Sequence, residues 1–302
     1  MSAPPACVEP DYPVSRLTTV GTGGPARFLA RPTTGAELAE VLRWADAEEL
    51  NVAVVGLGSN LLVADEGYDG VVLRLAGDLA RIERDGERIV CGAGASLAAV
   101  VKRATGWGLS GIEFGCAIPG TAGGAVRMNA GAYGGELRDV LDRAVVVGAG
   151  GERAGGADEL DMRYRGSNVG PREVVAEAVL RLRPGDTERI RATVADMQRR
   201  RREAQPAKVR TFGSVWKNPG GELSAGRMLE ECGLKGFTSG GARISPVHAN
   251  FIENVGGARS ADVLALMQEA RRRARERFGV ELEHEVQMLG PIALGMVDRQ
   301  LP

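Results

Sequence analysis

The stretch at residues 118–134, I-P-G-T-A-G-G-A-V-R-M-N-A-G-A-Y-G, most constrains what this chain can fold into. Its glycines and alanines leave the backbone almost bare. Glycine tolerates positive φ and lets a ligand approach the main chain, and the N–H groups of such turns form anion-binding concavities. A Gly-rich surface turn is the alternative, but exposed loops seldom interleave residues such as Ile118, Val126 and Met128 with their glycines. The stretch therefore reads as a pyrophosphate cradle. A second glycine turn, Gly56-Leu57-Gly58-Ser59-Asn60, lies between the apolar run 52–55 and the extended residues 61–63. No capped amphipathic helix opens after it and no sixth-position glycine follows, so the Rossmann fingerprint is rejected. Together the two turns suit one extended phosphate-containing ligand.

With 302 residues, two domains meeting at a cleft are expected. Thirty-eight basic and 39 acidic side chains leave a net charge of −1, too weak a field to collect nucleic acid or an anionic membrane. A small metabolite is the expected partner. Cys7, Cys91, Cys116 and Cys232 lack C-x-x-C spacing, and the histidines are His248 and His284, so no metal site is expected. The thiols read as reduced, as in a cytoplasmic protein. Residues 1–13 carry four prolines but no basic and apolar leader pattern, which reads as a frayed arm. No apolar run approaches the roughly 18 residues that span a bilayer.

Residues 26–30 read as a strand stopped by Pro32. Thr34 and Glu37 form a capping box for a helix with Leu38, Val41, Leu42 and Ala45 on one face. Residues 71–75 form another strand, and residues 81–83 and 88–91 flank Asp85-Gly86, a pair that favours a type I′ hairpin turn. Ser96 caps a helix ended by Gly106. Residues 144–147 and 174–182 read as strands, and Pro184-Gly185 marks a domain boundary. Asp186 caps a long helix with Ile190, Val194 and Met197 inward and arginines at its solvated end. Ser260 caps a last helix, with Val263, Leu264, Met267 and Ala270 facing the core and residues 271–273 solvated. Residues 280–289 alternate as a strand, with Glu281, Glu283, Glu285 and Gln287 on the solvated face. Helices interspersed with many short strands give an α+β fold. The expected division is an arm at 1–21, a first domain at 22–185 and a second at 186–302.

Further landmarks fall in a recognisable order: T-G-G-P-A at 22–26, G-S-N-L-L at 58–62, P-G-T-A-G-G-A with M-N-A-G-A-Y-G, Y-R at 164–165, G-S-V-W-K-N-P at 213–219, H-A-N-F-I at 248–252, and E-V before Gly290. From about Leu17 to Gly290 the chain resembles the UDP-N-acetylmuramate dehydrogenase family, also called UDP-N-acetylenolpyruvoylglucosamine reductases. The resemblance implies a vanillyl-alcohol-oxidase (PCMH)-type FAD-binding domain followed by a smaller α+β substrate-binding domain. It implies noncovalent FAD, NADPH as hydride donor, and UDP-N-acetylglucosamine enolpyruvate as the acceptor in peptidoglycan synthesis. A cytoplasmic monomer is expected. The absence of a Tyr-bearing insertion points to the shorter subtype, and Ala117 replaces the glycine usual before Ile-Pro-Gly.

Carried over by position, Ser214 matches the family's proton donor, and Arg165 and Glu285 match its other two catalytic positions. Hydride delivered to the terminal carbon of the enol ether leaves negative charge on the adjacent carbon and its carboxylate. An always-protonated Arg can hold that charge, and a positioned hydroxyl can protonate the carbon. Alternation alone places Glu285 on a solvated face; only the resemblance lifts it. Gly56, Gly58, Ser59, Asn60, Leu61, Pro119, Gly120, Thr121, Gly123, Gly124, Asn129, Gly131 and Ala132 are the candidate cofactor contacts. Tyr164, Lys217, Asn218, His248 and Asn250 are the candidate substrate contacts, His248 reading equally well as structural. Two other readings share these features: a flavin oxidase, for which Cys116 is the one nearby tether, and a noncatalytic nucleotide-sugar binder. The second has no need of Ser214, Arg165 and Glu285 together.

Overall fold

The computed structural model describes residues 2–295 and divides into two compact units. The first comprises Met1–Tyr12, Ala26–Leu57 and Asp69–Glu203; the second comprises Pro13–Pro25, Gly58–Tyr68 and Ala204–Pro302. The contacts thus draw the boundary at 203/204, where residues 1–21, 22–185 and 186–302 were the expected divisions. Pro184-Gly185 ends a strand without ending the unit. The helix that follows leans on the first core through Val194 and buries Ile190 beside Gly185. The frayed arm is also corrected: Val8–Pro13 is an edge strand of a four-stranded sheet.

In the first unit that sheet runs in the order Val8–Pro13, Pro25–Ala30, Tyr68–Leu73, Asn51–Val54, the last two parallel. A second sheet of five strands, Gly151–Gly155, Leu141–Gly148, Val174–Arg181, Arg88–Gly92 and Ile82–Asp85, is antiparallel throughout. Helices α1 (Gly35–Ala47), α2 (Leu97–Gly106) and α3 (Ala122–Met128) bury one face each in a single apolar core. The long α4 (Thr187–Ala204) buries only Ile190 fully.

Local chemistry explains where these elements start. Thr34 and Ser96 accept the N–H of Glu37 and Ala99 as N-caps. The Glu37 carboxylate returns to Thr33 instead of Thr34, so the expected box is displaced by one residue. The hairpin at 82–92 pairs Asp85 with Arg88, leaving Gly86 and Glu87 as its loop. Positive φ occurs at Gly86 alone, the type II′ pattern in place of the expected I′.

In the second unit, Arg210–Ser214, Phe251–Asn254, Ala242–Ile244 and Thr238–Ser239 form an antiparallel sheet. Gln287–Leu289 pairs in parallel with Leu61–Val63. Helices α5 (Ala225–Glu231) and α6 (Ser260–Phe278) bury Leu229, Val263, Leu266, Met267 and Ala270 against Phe212, Trp216, Ile252, Leu282 and Val286.

Three expectations change here. Ser260 is the first helical residue of α6 and is buried. Its hydroxyl donates to the Val63 carbonyl and bonds Thr22, while Asp65 accepts the N–H groups of Ser260 and Ala261. Arg271 is buried instead of solvated, because its guanidinium reaches Glu281 and the Gly295 carbonyl. The strand expected at 280–289 shortens to Gln287–Leu289, although Leu282 and Val286 remain the buried side of the alternation.

Candidate active site

The Gly-rich stretch folds as a turn, a short helix and a hairpin. Thr121 caps α3, its Oγ1 accepting the Gly124 N–H at 3.4 Å. The next N–H groups are also spent within the unit: Ala122 donates to Ala95 and Gly123 to Ala93, both at 2.8 Å. The expected concavity therefore does not come from the first turn of α3. What the stretch offers is bare backbone. A Cβ at Gly120 would meet nothing within 4 Å, one at Gly124 would meet only Thr121 Oγ1 at 3.5 Å, and neither glycine has positive φ. Among the described residues no neighbour requires glycine at these two positions, so the backbone there is open to a ligand. Gly56 brings the other turn to this place, since its Cβ would lie 2.6 Å from Thr121 Oγ1.

Asn129, a candidate cofactor contact, is engaged within the unit. It is fully buried in the left-handed conformation, and both hydrogens of its carboxamide are engaged, by Glu136 and by the Arg163 carbonyl. Its Oδ1 accepts the Arg138 N–H at 3.0 Å. Asn129 thus ties the Gly-rich stretch to the turn that presents Tyr164 and Arg165. Gly131 and Ala132 follow as a strand of the hairpin closed by Tyr133 and Gly134.

Arg163 and Gly166 bracket that presenting turn, exchanging two backbone hydrogen bonds of 3.0 Å. Arg165 occupies its third position with φ +58, where a type II turn ordinarily takes glycine. Its guanidinium stacks 4.9 Å above the Tyr164 ring. The loop behind it is anchored by Ser167 Oγ to the Arg127 carbonyl, by Arg127 to the Gly170 carbonyl, and by Glu173 accepting the Gly170 N–H. Arg153 pairs with Glu173 and, with that N–H, holds its carboxyl down at about 2. Cys116 packs toward α4 with its thiol 3.7 Å from the Val194 carbonyl, and burial raises its pKa. That environment disfavours the thiolate a flavin tether needs.

In the second unit the chain brings Ser214 and the Glu285 segment together. Ser214 ends its strand opposite Phe251, just after an irregularity in the ladder. Gly213, at φ +84, lies in that bulge and re-aims the next side chain. Immediately after Ser214, the Val215 carbonyl accepts the Glu285 N–H and the Lys217 N–H donates to the Glu283 carbonyl, both at 2.9 Å, with Trp216 bridged to His284. Glu285 is half-buried where Glu281 and Glu283 are exposed. Local packing thus distinguishes the one glutamate that alternation could not.

Several candidates in this unit hold the framework. Gly58 is buried at φ +65, and its Cβ would fall 1.9 Å from the Leu17 carbonyl oxygen. The Asn60 amide donates to the Glu285 carbonyl at 3.0 Å, and Leu61 opens the strand that pairs with Gln287; Ser59, between Gly58 and Asn60, is half-buried. Lys217 forms an ion pair with Glu283, and exposed Asn218 accepts the Ala225 N–H that starts α5. His248 Nδ1 accepts the Asn250 N–H at 3.1 Å, its ring stands edge-on to Phe251, and burial, then Lys235, lowers its pKa. Asn250 is buried with its carboxamide on Trp216. Both side chains are thus tied into the framework of the unit. Pro119 is exposed at the rim of the first-unit turn.

Comparison with known proteins follows the same division. Residues 26–154 match a family model described as an FAD binding domain. Residues 205–289 match one for the C-terminal domain of UDP-N-acetylenolpyruvoylglucosamine reductase. The chain is 46% identical over 280 residues to the UDP-N-acetylenolpyruvoylglucosamine reductase of Anaeromyxobacter dehalogenans, covering 93% of this chain and 85% of the relative. It is 43% identical over 288 residues to reductase 2 of Symbiobacterium thermophilum, covering 95% and 93%. The crystal structure of UDP-N-acetylenolpyruvylglucosamine reductase from Thermus caldophilus aligns with a TM-score of 0.82 at 39% identity, over 94% of this chain and 99% of that one.

Proposed function

Because the chain belongs to the UDP-N-acetylenolpyruvoylglucosamine reductase family, we propose that Ser214, Arg165 and Glu285 carry its reaction, with NADPH as the hydride donor. It is an FAD-dependent oxidoreductase, reducing UDP-N-acetylglucosamine enolpyruvate to UDP-N-acetylmuramate in peptidoglycan synthesis. The fold is the α+β, PCMH-type plan of an FAD-binding domain with an additional α+β domain. The first-unit turns fit a noncovalent FAD: Gly120 and Gly124 are left bare, and Gly56 adjoins them. Pro119, Gly120, Thr121 and Gly124 would hold its diphosphate. When bound, FAD supplies the hydride that reaches the terminal carbon of the enol ether.

The chain's own residues supply the rest. Arg165 balances the charge that develops on the substrate carboxylate and the adjacent carbon. The Ser214 hydroxyl then gives its proton to that carbon, completing the saturated ether. Such general-acid assistance is worth about 10²–10⁴ in rate, roughly 3–5.5 kcal/mol. A serine is a weak acid alone, and Glu285 is the carboxylate whose segment pairs directly beside it; we assign Glu285 to the proton relay. The backbone pairing of residues 215–217 with 283–285 carries this reading. The enzyme would work as a cytoplasmic monomer.

Stopped-flow absorbance of the two half-reactions is the test. With the flavin reduced anaerobically, Ser214→Ala should slow its reoxidation by the enolpyruvyl nucleotide by about 10²–10⁴ and spare its reduction by NADPH. Equal slowing of both halves would make Ser214 structural.

A further inference from the structure

Residues 215–217 connect the two chemical partners of the second unit. They follow Ser214 directly and pair with the stretch that carries Glu285. Beyond Val215, what holds their other edge is a side chain. The strand ladder between Arg210–Ser214 and Phe251–Asn254 stops at Ser214 and Phe251, with one more backbone bond from Val215 N–H to the Asn250 carbonyl at 2.9 Å. Beyond it, Asn250 Oδ1 accepts the Trp216 N–H and Asn250 Nδ2 donates to the Trp216 carbonyl, both at 2.9 Å. A carboxamide carries one acceptor and one donor group side by side, the same pair a neighbouring strand would offer. It extends the ladder past the point where the backbones diverge.

Both groups are sealed from water: Asn250 is 5% and Trp216 2% exposed. A backbone N–H or carbonyl left unpaired there would have no solvent to turn to, so the segment would shift to find a partner. The clamp is itself seated, because His248 Nδ1 accepts the Asn250 N–H. On the far side, the Asn60 amide holds the Glu285 carbonyl. Gly213 adds the reason a clamp is needed: its positive φ in the bulge turns the chain just before Ser214, so ladder pairing alone does not fix the serine's direction.

We propose that Asn250 is a positioning residue for the proton transfer, its carboxamide fixing Ser214 against the segment that bears Glu285. This rests on the reading of Ser214 as proton donor. Asn250→Asp keeps size and shape and still accepts the Trp216 N–H, but sets a carboxylate oxygen against the Trp216 carbonyl. The flavoprotein is reduced with dithionite under argon, which keeps the choice of pyridine nucleotide out of the result, and the enolpyruvyl nucleotide is then mixed in. Reoxidation of Asn250→Asp should be slower by about 10²-fold at saturating substrate, the cost of a misplacement near 1 Å. Its concentration dependence should stay that of the wild type. In a Ser214→Ala background the same substitution should cause no further slowing, because residues acting as one unit are not additive.

Wild-type reoxidation by Asn250→Asp overturns the proposal. So does a weakened substrate affinity at full rate, which would make Asn250 a substrate contact. An equal fold-loss on both backgrounds overturns it too, as a loss independent of Ser214. A Ser214→Ala enzyme that reoxidises at the wild-type rate overturns the proton-donor reading and the proposal with it. Should the Asp variant not retain flavin, Asn250→Ser, whose shorter side chain with a single oxygen cannot span the Trp216 N–H and carbonyl as the two carboxamide atoms do, is judged by the same outcomes.

Discussion

Arg165 combines a glycine's conformation with a cation's chemistry. A non-glycine residue at positive φ costs about 1 kcal/mol or more, and such strain persists where the surroundings impose it. The surroundings here are the paired hydrogen bonds between Arg163 and Gly166 and the Asn129 amide on the Arg163 carbonyl. Glycine at 165 would satisfy the turn more easily, so Arg165→Gly should leave the melting temperature unchanged or raise it by a few degrees. The same variant should lose at least about 10²-fold in kcat/KM, since no charge then balances the developing enolate. Calorimetry alongside steady-state kinetics checks both. Stability and activity falling together would make Arg165 a structural ion-pair partner. From the sequence, Tyr-Arg was a bare dipeptide. The positive φ that marks it depends on Arg163 and Gly166 pairing with each other, which no composition or period encodes.

At the scale of elements, sequence marks both glycine turns as unusual, but not which of their glycines the fold itself requires. Gly58 is required by the Leu17 carbonyl against it, whereas Gly124 stands in the first turn of α3 with open space beyond. Gly124→Ala should therefore stabilise the apoprotein by up to about 1 kcal/mol, the helix propensity difference between the two residues. It should at the same time weaken FAD binding, because the methyl fills the space the cofactor would approach. Gly58→Ala should fail to accumulate folded protein. Thermal melts of apoprotein with flavin-fluorescence titration separate the two; a Gly124→Ala apoprotein that melts lower, or binds FAD as tightly as wild type, would show that the space at Gly124 is not kept for the cofactor. The capping signals were readable at Thr34 and Ser96, where cap and helix are neighbours in sequence. They misled at Ser260, whose helix is capped by Asp65, far away in the chain.

Distance along the chain is also what hid the molecule's division. Short-range pattern supported an α+β fold of two parts, yet the second unit is assembled from three stretches, Pro13–Pro25, Gly58–Tyr68 and Ala204–Pro302. Parallel pairing of Gln287–Leu289 with Leu61–Val63 joins its last segment to its middle one, a register that leaves no local signature. The unit's core includes Val20 and Leu62 from the early stretches, and the buried Ser260 hydroxyl depends on Thr22 and Val63. A fragment of residues 204–302 would lack all of these. It would also lose Asp65, leaving the first N–H groups of α6 without their carboxylate cap. Expressed alone, this fragment should show helical circular dichroism without a cooperative melt, binding a hydrophobic dye as a loosely packed state does. The full chain should melt cooperatively under the same conditions. Restoring residues 58–68 through a Gly/Ser linker ahead of residue 204 should recover part of the cooperativity, since the parallel strand and the Asp65 cap return together. A fragment 204–302 that melts cooperatively by itself would show that the early stretches decorate the unit and do not complete it.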